Sequence, residues 1–256
     1  MLLKDKVCIV AGAGSMRGIG YATAELFAEH GAKVVVVDIS IDEDSSAAIA
    51  TSIRKNTRPD AEILGLRCDI TNAADCDRMV AAAVAHFGTL DCLVNSAGIV
   101  KSQPLLDISE QDYQLVVDVN MKGAFNLCKS ALAVFVRQKS GVIVNVASAA
   151  AQRGGGLVGG AHYAAAKGGV VSLTRTIARE YGPQGIRANV ICPAMIETAM
   201  LDGLSADRLT GILEAIPLQR AGTTREAAGA CLFLASELSG FVTGATIDVN
   251  GGSHIH

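Results

Sequence analysis

The sequence predicts an α/β fold: a doubly wound parallel sheet of about seven strands, with helices on both faces. Two patterns and the composition predict it. Short β-rich runs alternate with longer helical ones along almost all 256 residues, the order that right-handed strand–helix–strand crossovers demand. Several strand runs, such as VVVVD at 34–38 and VIVNVA at 142–147, are continuously apolar instead of alternating, so both of their faces are covered. Half of the residues are hydrophobic, yet Trp is absent and aromatics make up 4%. The core is therefore aliphatic, built from Val, Ile, Leu and Ala.

Taken in order, strands are expected at 6–11, 33–38, 62–67, 92–95, 142–147, 188–192 and 246–249. Helices are expected near 19–30, 43–56, 72–87, 109–138, 162–181 and 224–236. The first strand runs into AGAGSMRGIG at 11–20, whose glycines let the chain turn tightly into the first helix. Asp-Ile-Thr-Asn at 69–72 and Ile-Ser-Glu-Gln at 108–111 offer N-caps to the third and fourth helices. No Pro-rich or Ser-rich linker and no internal repeat divides the chain, so residues 1–256 read as a single domain. The stretch 195–217 has no strand pattern and is expected to be an insertion that covers the substrate.

The net charge is −3 and the basic residues are scattered, which speaks against nucleic acid or an anionic membrane as a partner. No apolar run is long enough to span a bilayer, and the N-terminal MLLKDKVCIVAG is shorter than a signal peptide. Seven cysteines (Cys8, Cys68, Cys76, Cys92, Cys128, Cys192, Cys231) form no C-x-x-C pair, and several lie in apolar strand runs. They read as reduced thiols of a cytoplasmic protein, with no metal site and no disulfide framework. Cys192 is expected to serve packing. The positive mean hydropathy points to large buried surfaces between subunits.

Tyr163 and Lys167 stand four residues apart in HYAAAK, about one helical turn, so phenol and ammonium share a face. A cation held there favours the phenolate and lowers a pKa that is about 10 when unperturbed. Ser148, fifteen residues before Tyr163 at the end of a strand run, is placed to hold a carbonyl oxygen while the tyrosine gives or takes a proton. That is equipment for interconverting a secondary alcohol and a ketone. It lacks a hydride carrier, and the first forty residues supply a site for one. Gly12, Gly14, Gly18 and Gly20 lie between strand and helix, where the helix N-terminus offers amide donors to a pyrophosphate. Asp38 ends the next strand, twenty residues after Gly18, where its carboxylate accepts from ribose hydroxyls and repels a 2′-phosphate. Arg17 pulls the other way, since a guanidinium attracts that phosphate. Asp38 is the better placed group, so NAD is the expected cofactor. His162 points about 100° away from Tyr163 on the helix and reads as structural.

These constellations resemble, over essentially the whole length, the single-domain short-chain dehydrogenase/reductases, a family with a Rossmann-type fold. The resemblance rests on the glycine turn at 12–20, Asp38, CDIT at 68–71, VNSAG at 94–98, VNMKG around Asn120, Ser148, the Tyr163/Lys167 pair, CP at 192–193 and TGATIDVNGG at 243–252. It implies that Gly12, Gly14, Arg17, Gly18, Ile19 and Gly20 form the phosphate-binding turn. It implies that Asp69, with Ile70, contacts the adenine, and that Asn95 fixes the turn beside the adenosine ribose, followed by Ala97 and Gly98. Asn120 would kink its helix and hold a water that continues a proton path from Lys167. Ser148 would polarise the carbonyl, Tyr163 would be the acid/base, and Lys167 would also bind the nicotinamide ribose. Pro193, Ile196 and Thr198 would shape the nicotinamide pocket. The helices at 109–138 and 162–181 would pair between subunits of a homodimer or homotetramer.

Three features depart from the family pattern. From Gly12 to Gly18 the turn is two residues longer than the common spacing, which leaves open whether Gly12 or Gly14 meets the pyrophosphate. Ala194 stands where a glycine usually follows the proline. Ser148 and Tyr163 are slightly further apart than usual, and RGGGLVGGAH at 153–162, which lines the substrate pocket in the family, lies between them. Arg153 offers either a counter-ion for an anionic substrate or a structural ion pair or helix cap; the structural role is expected. The expected function is an NAD(H)-dependent oxidoreductase acting on a small secondary alcohol or its ketone. Two alternatives are an NADP(H)-dependent 3-oxoacyl thioester reductase, against which Asp38 counts, and a non-catalytic dinucleotide-binding sensor or scaffold. The intact set of Asn120, Ser148, Tyr163 and Lys167 counts against the sensor.

Overall fold

The computed structural model describes residues 1–155, 158–199 and 206–255. Seven strands form one sheet: β1 (Val7–Ala11), β2 (Lys33–Asp38), β3 (Ile63–Arg67), β4 (Cys92–Asn95), β5 (Gly141–Val146), β6 (Ile186–Pro193) and β7 (Thr246–Val249). Their order is β3-β2-β1-β4-β5-β6-β7, and every neighbouring pair is parallel. The helices are α1 (Ile19–Glu29), α2 (Glu43–Asn56), α3 (Ala73–Phe87), α4 (Glu110–Val117), α5 (Gly123–Gln138), α6 (Ala150–Arg153), α7 (Ala161–Tyr181), α8 (Ala206–Glu214) and α9 (Thr224–Ala235).

The apolar runs behave as two-faced strands. In β2, Val34 and Val36 enter one core with Leu26, Phe27, Ile53 and Leu234, while Val35 and Val37 enter the opposite core with Met79, Leu127, Phe135 and Ile177. Successive side chains of a strand point to opposite faces, so an unbroken valine run fills both helical layers. Full burial of each valine contributes about 1.5–3 kcal/mol, and all four are completely buried.

Side chains close the helix starts where the sequence offers them. Asn72 Oδ1 accepts from the Ala74 and Asp75 amides at the start of α3, and Ser109 Oγ accepts from Asp112 at α4. Capping boxes of Asp42 with Ser45 and of Thr223 with Glu226 start α2 and α9. The helix expected at 109–138 is interrupted: a π-helical turn, Asp118–Lys122, separates α4 from α5. Among its described residues the 195–217 stretch has no strand beyond a single bridge from Ile196 to Gly222, and it contains α8, whose Ile212 packs with Met195, Ile216 and Ala221 in a satellite core. Residues 200–205 of the expected insertion lie outside the described residues.

From β1 the chain winds outward through β2 and β3, then returns to β4 on the other side of β1. Crossovers therefore leave the carboxyl ends of β1 and β4 in opposite directions and open a crevice between them. A cavity of about 610 Å³ occupies that edge of the sheet.

Candidate active site

The glycine turn is set by how closely α1 approaches the strand ends. Gly12 has φ +79°, and a Cβ there would lie 2.5 Å from the Ala97 nitrogen beyond β4. A Cβ on Gly20 would lie 2.2 Å from the Gly12 carbonyl oxygen. Replacing Gly20 by Ala drives backbone against backbone, and we expect a loss of about 3 kcal/mol, read as a lower urea midpoint with an unchanged slope. Gly14 stands on the other side of the turn. Its N–H donates to Asp38 Oδ2 at 3.1 Å, and a Cβ on it would fall 2.7 Å from Asp38 Cγ. The N-cap of α1, Gly18, has no side chain, so no side chain satisfies the first amides of the helix. Those donors, together with the missing Cβ atoms, suit an anionic phosphate.

Asp38 is held firmly at the end of β2. Besides the Gly14 amide, its Oδ1 accepts from Ser40 N at 3.1 Å and from Ser40 Oγ at 2.9 Å. Gly12, Arg17, Gly18, Ile19 and Asp38 all belong to the cavity wall, as do Asp69, Ile70, Ala97 and Gly98 further along it. Asp69 is fixed by Thr71, which donates to it through its amide at 2.9 Å and its hydroxyl at 2.7 Å. Gly14, Gly20 and Asn95 are not part of the wall. Asn95 is buried behind it, donating to Asn145 Oδ1 at 3.3 Å, and Asn145 donates in turn to Thr174 Oγ1 at 2.9 Å. The first two glycines support the wall residues sterically, and Asn95 ties β4 to β5.

At the far end of the cavity, β5 and the first turns of α7 bring Ser148, Tyr163 and Lys167 into one wall. Tyr163 and Lys167 are only 8% and 5% exposed. Lys167 Nζ donates to the Val146 carbonyl at 2.9 Å and lies 5.9 Å from the centre of the Tyr163 ring. Burial pulls the Lys167 ammonium down to about 8. Burial also raises the Tyr163 phenol above its ordinary value, opposed by a hydrogen bond with Ser148. This reverses the direction expected from the spacing alone. The cation sits over the ring and on a backbone carbonyl, and in this dry pocket the cost of a buried phenolate exceeds its help.

Asn120 belongs to the π-helical turn and is 1% exposed. Its Nδ2 donates to the Val116 and Ile99 carbonyls, both at 2.9 Å. Its Oδ1 is buried with no partner among the described residues. That oxygen faces Gly98, where a Cβ would be 2.6 Å from Asn120 Oδ1 and 3.2 Å from Lys167 Nζ. Glycine at 98 thus lets Asn120 Oδ1 and Lys167 Nζ, an acceptor and a donor, lie against its backbone where a side chain would not fit.

The segment between Ser148 and Tyr163 begins with the single turn of α6 and ends in a glycine turn laid on the tyrosine. Gly159 has φ +84°, and a Cβ on it would be 2.3 Å from Tyr163 Cδ1. Its amide donates to Ser102 Oγ at 2.8 Å, and the Gly160 amide donates to the Lys101 carbonyl at 2.8 Å. Lys101 and Gln103 are both anchored on Asp112 of α4. His162 is 3% exposed, and neither ring nitrogen has a partner among the described residues; it is not part of the cavity wall. Pro193, Ile196 and Thr198 complete the wall, with Ala194 donating to the Val249 carbonyl at 3.2 Å. Cys192 is fully buried behind them and burial pushes its thiol up to about 11, which suits packing. Arg153 is exposed at the end of α6 and belongs to the wall. The ion pair expected of it is not made: its guanidinium has no carboxylate partner among the described residues. Three supports of the site were not anticipated from the sequence: Ser40 under Asp38, the Val146 carbonyl under Lys167, and Ser102 under Gly159. The Asp-x-Ser spacing is an available signal for the first; the other two have none.

A family model described as Enoyl-(Acyl carrier protein) reductase matches residues 12–254. The uncharacterized short-chain type dehydrogenase/reductase y4mP of Sinorhizobium fredii is 46% identical over 260 residues, spanning all of both chains. The chain belongs to the short-chain dehydrogenase/reductase family. The 3-oxoacyl-[acyl-carrier-protein] reductase FabG of Escherichia coli is 35% identical over 255 residues, again across both full lengths. Among solved structures, levodione reductase superposes with a TM-score of 0.91 at 32% identity, covering 98% of each chain. As a short-chain dehydrogenase/reductase the chain is an oxidoreductase of CH–OH groups that uses a nicotinamide dinucleotide. No helix of the described residues is long and apolar enough to cross a membrane. The family departures now have a geometry. In the glycine turn Gly12 underlies Ala97 while Gly14 supports Asp38. The additional length before Tyr163 contains α6 and the Gly159 turn.

Proposed function

We propose that this short-chain dehydrogenase/reductase is a single-domain, NAD(H)-dependent enzyme that interconverts a small secondary alcohol and its ketone, with Tyr163 as acid/base. One observation carries the proposal. Ser148, Tyr163, Lys167 and the unpartnered Asn120 Oδ1 converge at one end of a cavity whose other end offers uncapped α1 amides and the Asp38 carboxylate. The glycine turn and Arg17 hold the pyrophosphate, Asp38 the adenosine ribose, Asp69 and Ile70 the adenine, and Pro193, Ile196 and Thr198 the nicotinamide. When bound, the dinucleotide supplies or accepts hydride at the carbonyl carbon. Ser148 holds the carbonyl oxygen, and Tyr163 delivers a proton to it in reduction and takes one from it in oxidation. Lys167 stays charged at neutral pH and holds the nicotinamide ribose. Asn120 holds a water that continues the proton path from Lys167. Met195, Ile196, Thr198 and Ala199 form the side of the pocket that admits substrate.

Asp38 selects the cofactor. Its carboxylate is fixed by Gly14 and Ser40 at the end of β2, and a 2′-phosphate brought against it would meet a like charge in a partly buried site. Asp38→Ala is expected to cut the preference for NADH over NADPH by at least tenfold, measured as the ratio of dissociation constants. A wild type that already prefers NADPH would support the second reading, a 3-oxoacyl thioester reductase. The names of relatives such as FabG favour that reading, and Asp38 opposes it.

A further inference from the structure

Among the described residues, the substrate end of the cavity beyond the reacting groups is lined mainly by apolar side chains, with one exposed charge. Val100, Leu115, Val158, Met195 and Ile196 supply its walls. The other charged wall residues are accounted for: Arg17, Asp38 and Asp69 stand toward the glycine turn, and Lys167 is buried beside Tyr163. Arg153 is the exception. It is exposed and belongs to the wall, and it lacks a carboxylate partner among the described residues.

Its backbone is fixed relative to the reacting centre. The Ala150 amide donates to Ser148 Oγ at 3.1 Å, and the Ala151 amide to the Ser148 carbonyl at 2.9 Å. The Arg153 amide closes the turn onto the Ala149 carbonyl at 3.1 Å. Gln152 ties the same turn to the sheet through Asp248 of β7 at 2.7 Å, and Gly154, at φ +86°, ends it. Arg153 is thus one turn, ~5 Å of helix rise, from the residues around Ser148. A guanidinium in that position, with an apolar pocket below it, matches a molecule with an apolar body and an anionic end.

We propose that Arg153 is a specificity residue for an anionic substrate, a ketone or secondary alcohol whose far end carries a carboxylate or a phosphate. This rests on the alcohol–ketone reading above. The test uses three matched sets of compounds: oxo acids, oxoalkyl phosphates and the neutral oxo amides of the same chain lengths. Two readouts are taken on wild type, R153Q, R153E, R153K and Y163F. One is kcat/KM with reduced dinucleotide; the other is calorimetric binding to the enzyme with dinucleotide bound.

In the wild type, one anionic set is expected to exceed the amides at least tenfold in both readouts, with the gain in KM. The better anion tells carboxylate from phosphate. R153Q is expected to bring that preference to about one, R153E to invert it, and R153K to keep part of it. Y163F is expected to keep the binding preference. Equal use of amides and anions by the wild type overturns the proposal while leaving the alcohol–ketone reading in place, and so does an anion preference that survives in R153Q and R153E. Absence of turnover in every set, with an anion preference in binding that R153Q abolishes, supports the anion subsite and overturns the alcohol–ketone reading instead.

Discussion

Tyr163→Phe is expected to bind the dinucleotide as the wild type does and to lose between about 10²- and 10⁴-fold in turnover, the usual contribution of a positioned acid or base. The variant removes one oxygen and nothing that shapes the pocket, because the ring still lies under Gly159 and beside Lys167. A phenol raised by burial is fully protonated at neutral pH and ready to donate, so ketone reduction proceeds there without a preceding ionisation. Alcohol oxidation needs the phenolate, so its rate is expected to climb with pH in the wild type. That rise should vanish in Tyr163→Phe. Stopped-flow turnover and fluorescence titration of the reduced dinucleotide separate the two effects. Equal losses in binding and in turnover would assign Tyr163 to the cofactor pocket instead.

Lys167→Met is expected to inactivate the enzyme and to make it more stable. The folded-state value of Lys167, about 8, lies below the ordinary lysine value of about 10.4. Between those two values the unfolded chain holds the proton that the folded chain has released, so wild-type stability rises with pH across that window. Below it the buried ammonium costs about 3 kcal/mol. Methionine removes that cost and leaves the Val146 carbonyl without its donor, a loss of about 1–2 kcal/mol. The net expectation at pH 7 is a gain of roughly 1–2 kcal/mol, with the pH dependence between about 8 and 10 abolished. Denaturant unfolding at several pH values measures both. A variant less stable than the wild type at pH 7 would mean that the ammonium is stabilised in the fold by more than its one visible hydrogen bond.

Some of this was legible in the sequence for a definite physical reason. The valine run in β2 specifies a strand covered on both sides, because β-branched residues favour strand and a strand that buries four successive side chains needs cover on both faces. Asn72 and Ser109 mark their helix starts by chemistry that acts locally. The spacing of Tyr163 and Lys167 fixes their common face. What depends on through-space packing was not legible. The π-helical turn that aims Asn120 at Gly98 has no periodicity of its own, and only the family resemblance, which implies a kink at Asn120, pointed to it. The sign of the Tyr163 shift depends on how dry its pocket is, which spacing does not report. The same holds for Arg153, expected to make an ion pair or cap a helix: no described carboxylate pairs with it. Asn95 reads from its motif as the residue that fixes the turn beside the ribose; that motif carries no signal of its bond to Asn145 across the β4–β5 register.

The most direct test follows nicotinamide absorbance in both directions, with NAD or NADP and a panel of neutral and anionic alcohols, and with the reduced cofactors and ketones. Tyr163→Phe serves as the control. Turnover of at least one panel member with NAD(H), lost in the variant, is the predicted result. Tight dinucleotide binding with no turnover of any member, or turnover that Tyr163→Phe retains, would contradict the assignment of Tyr163 as the acid/base of an alcohol–ketone oxidoreductase.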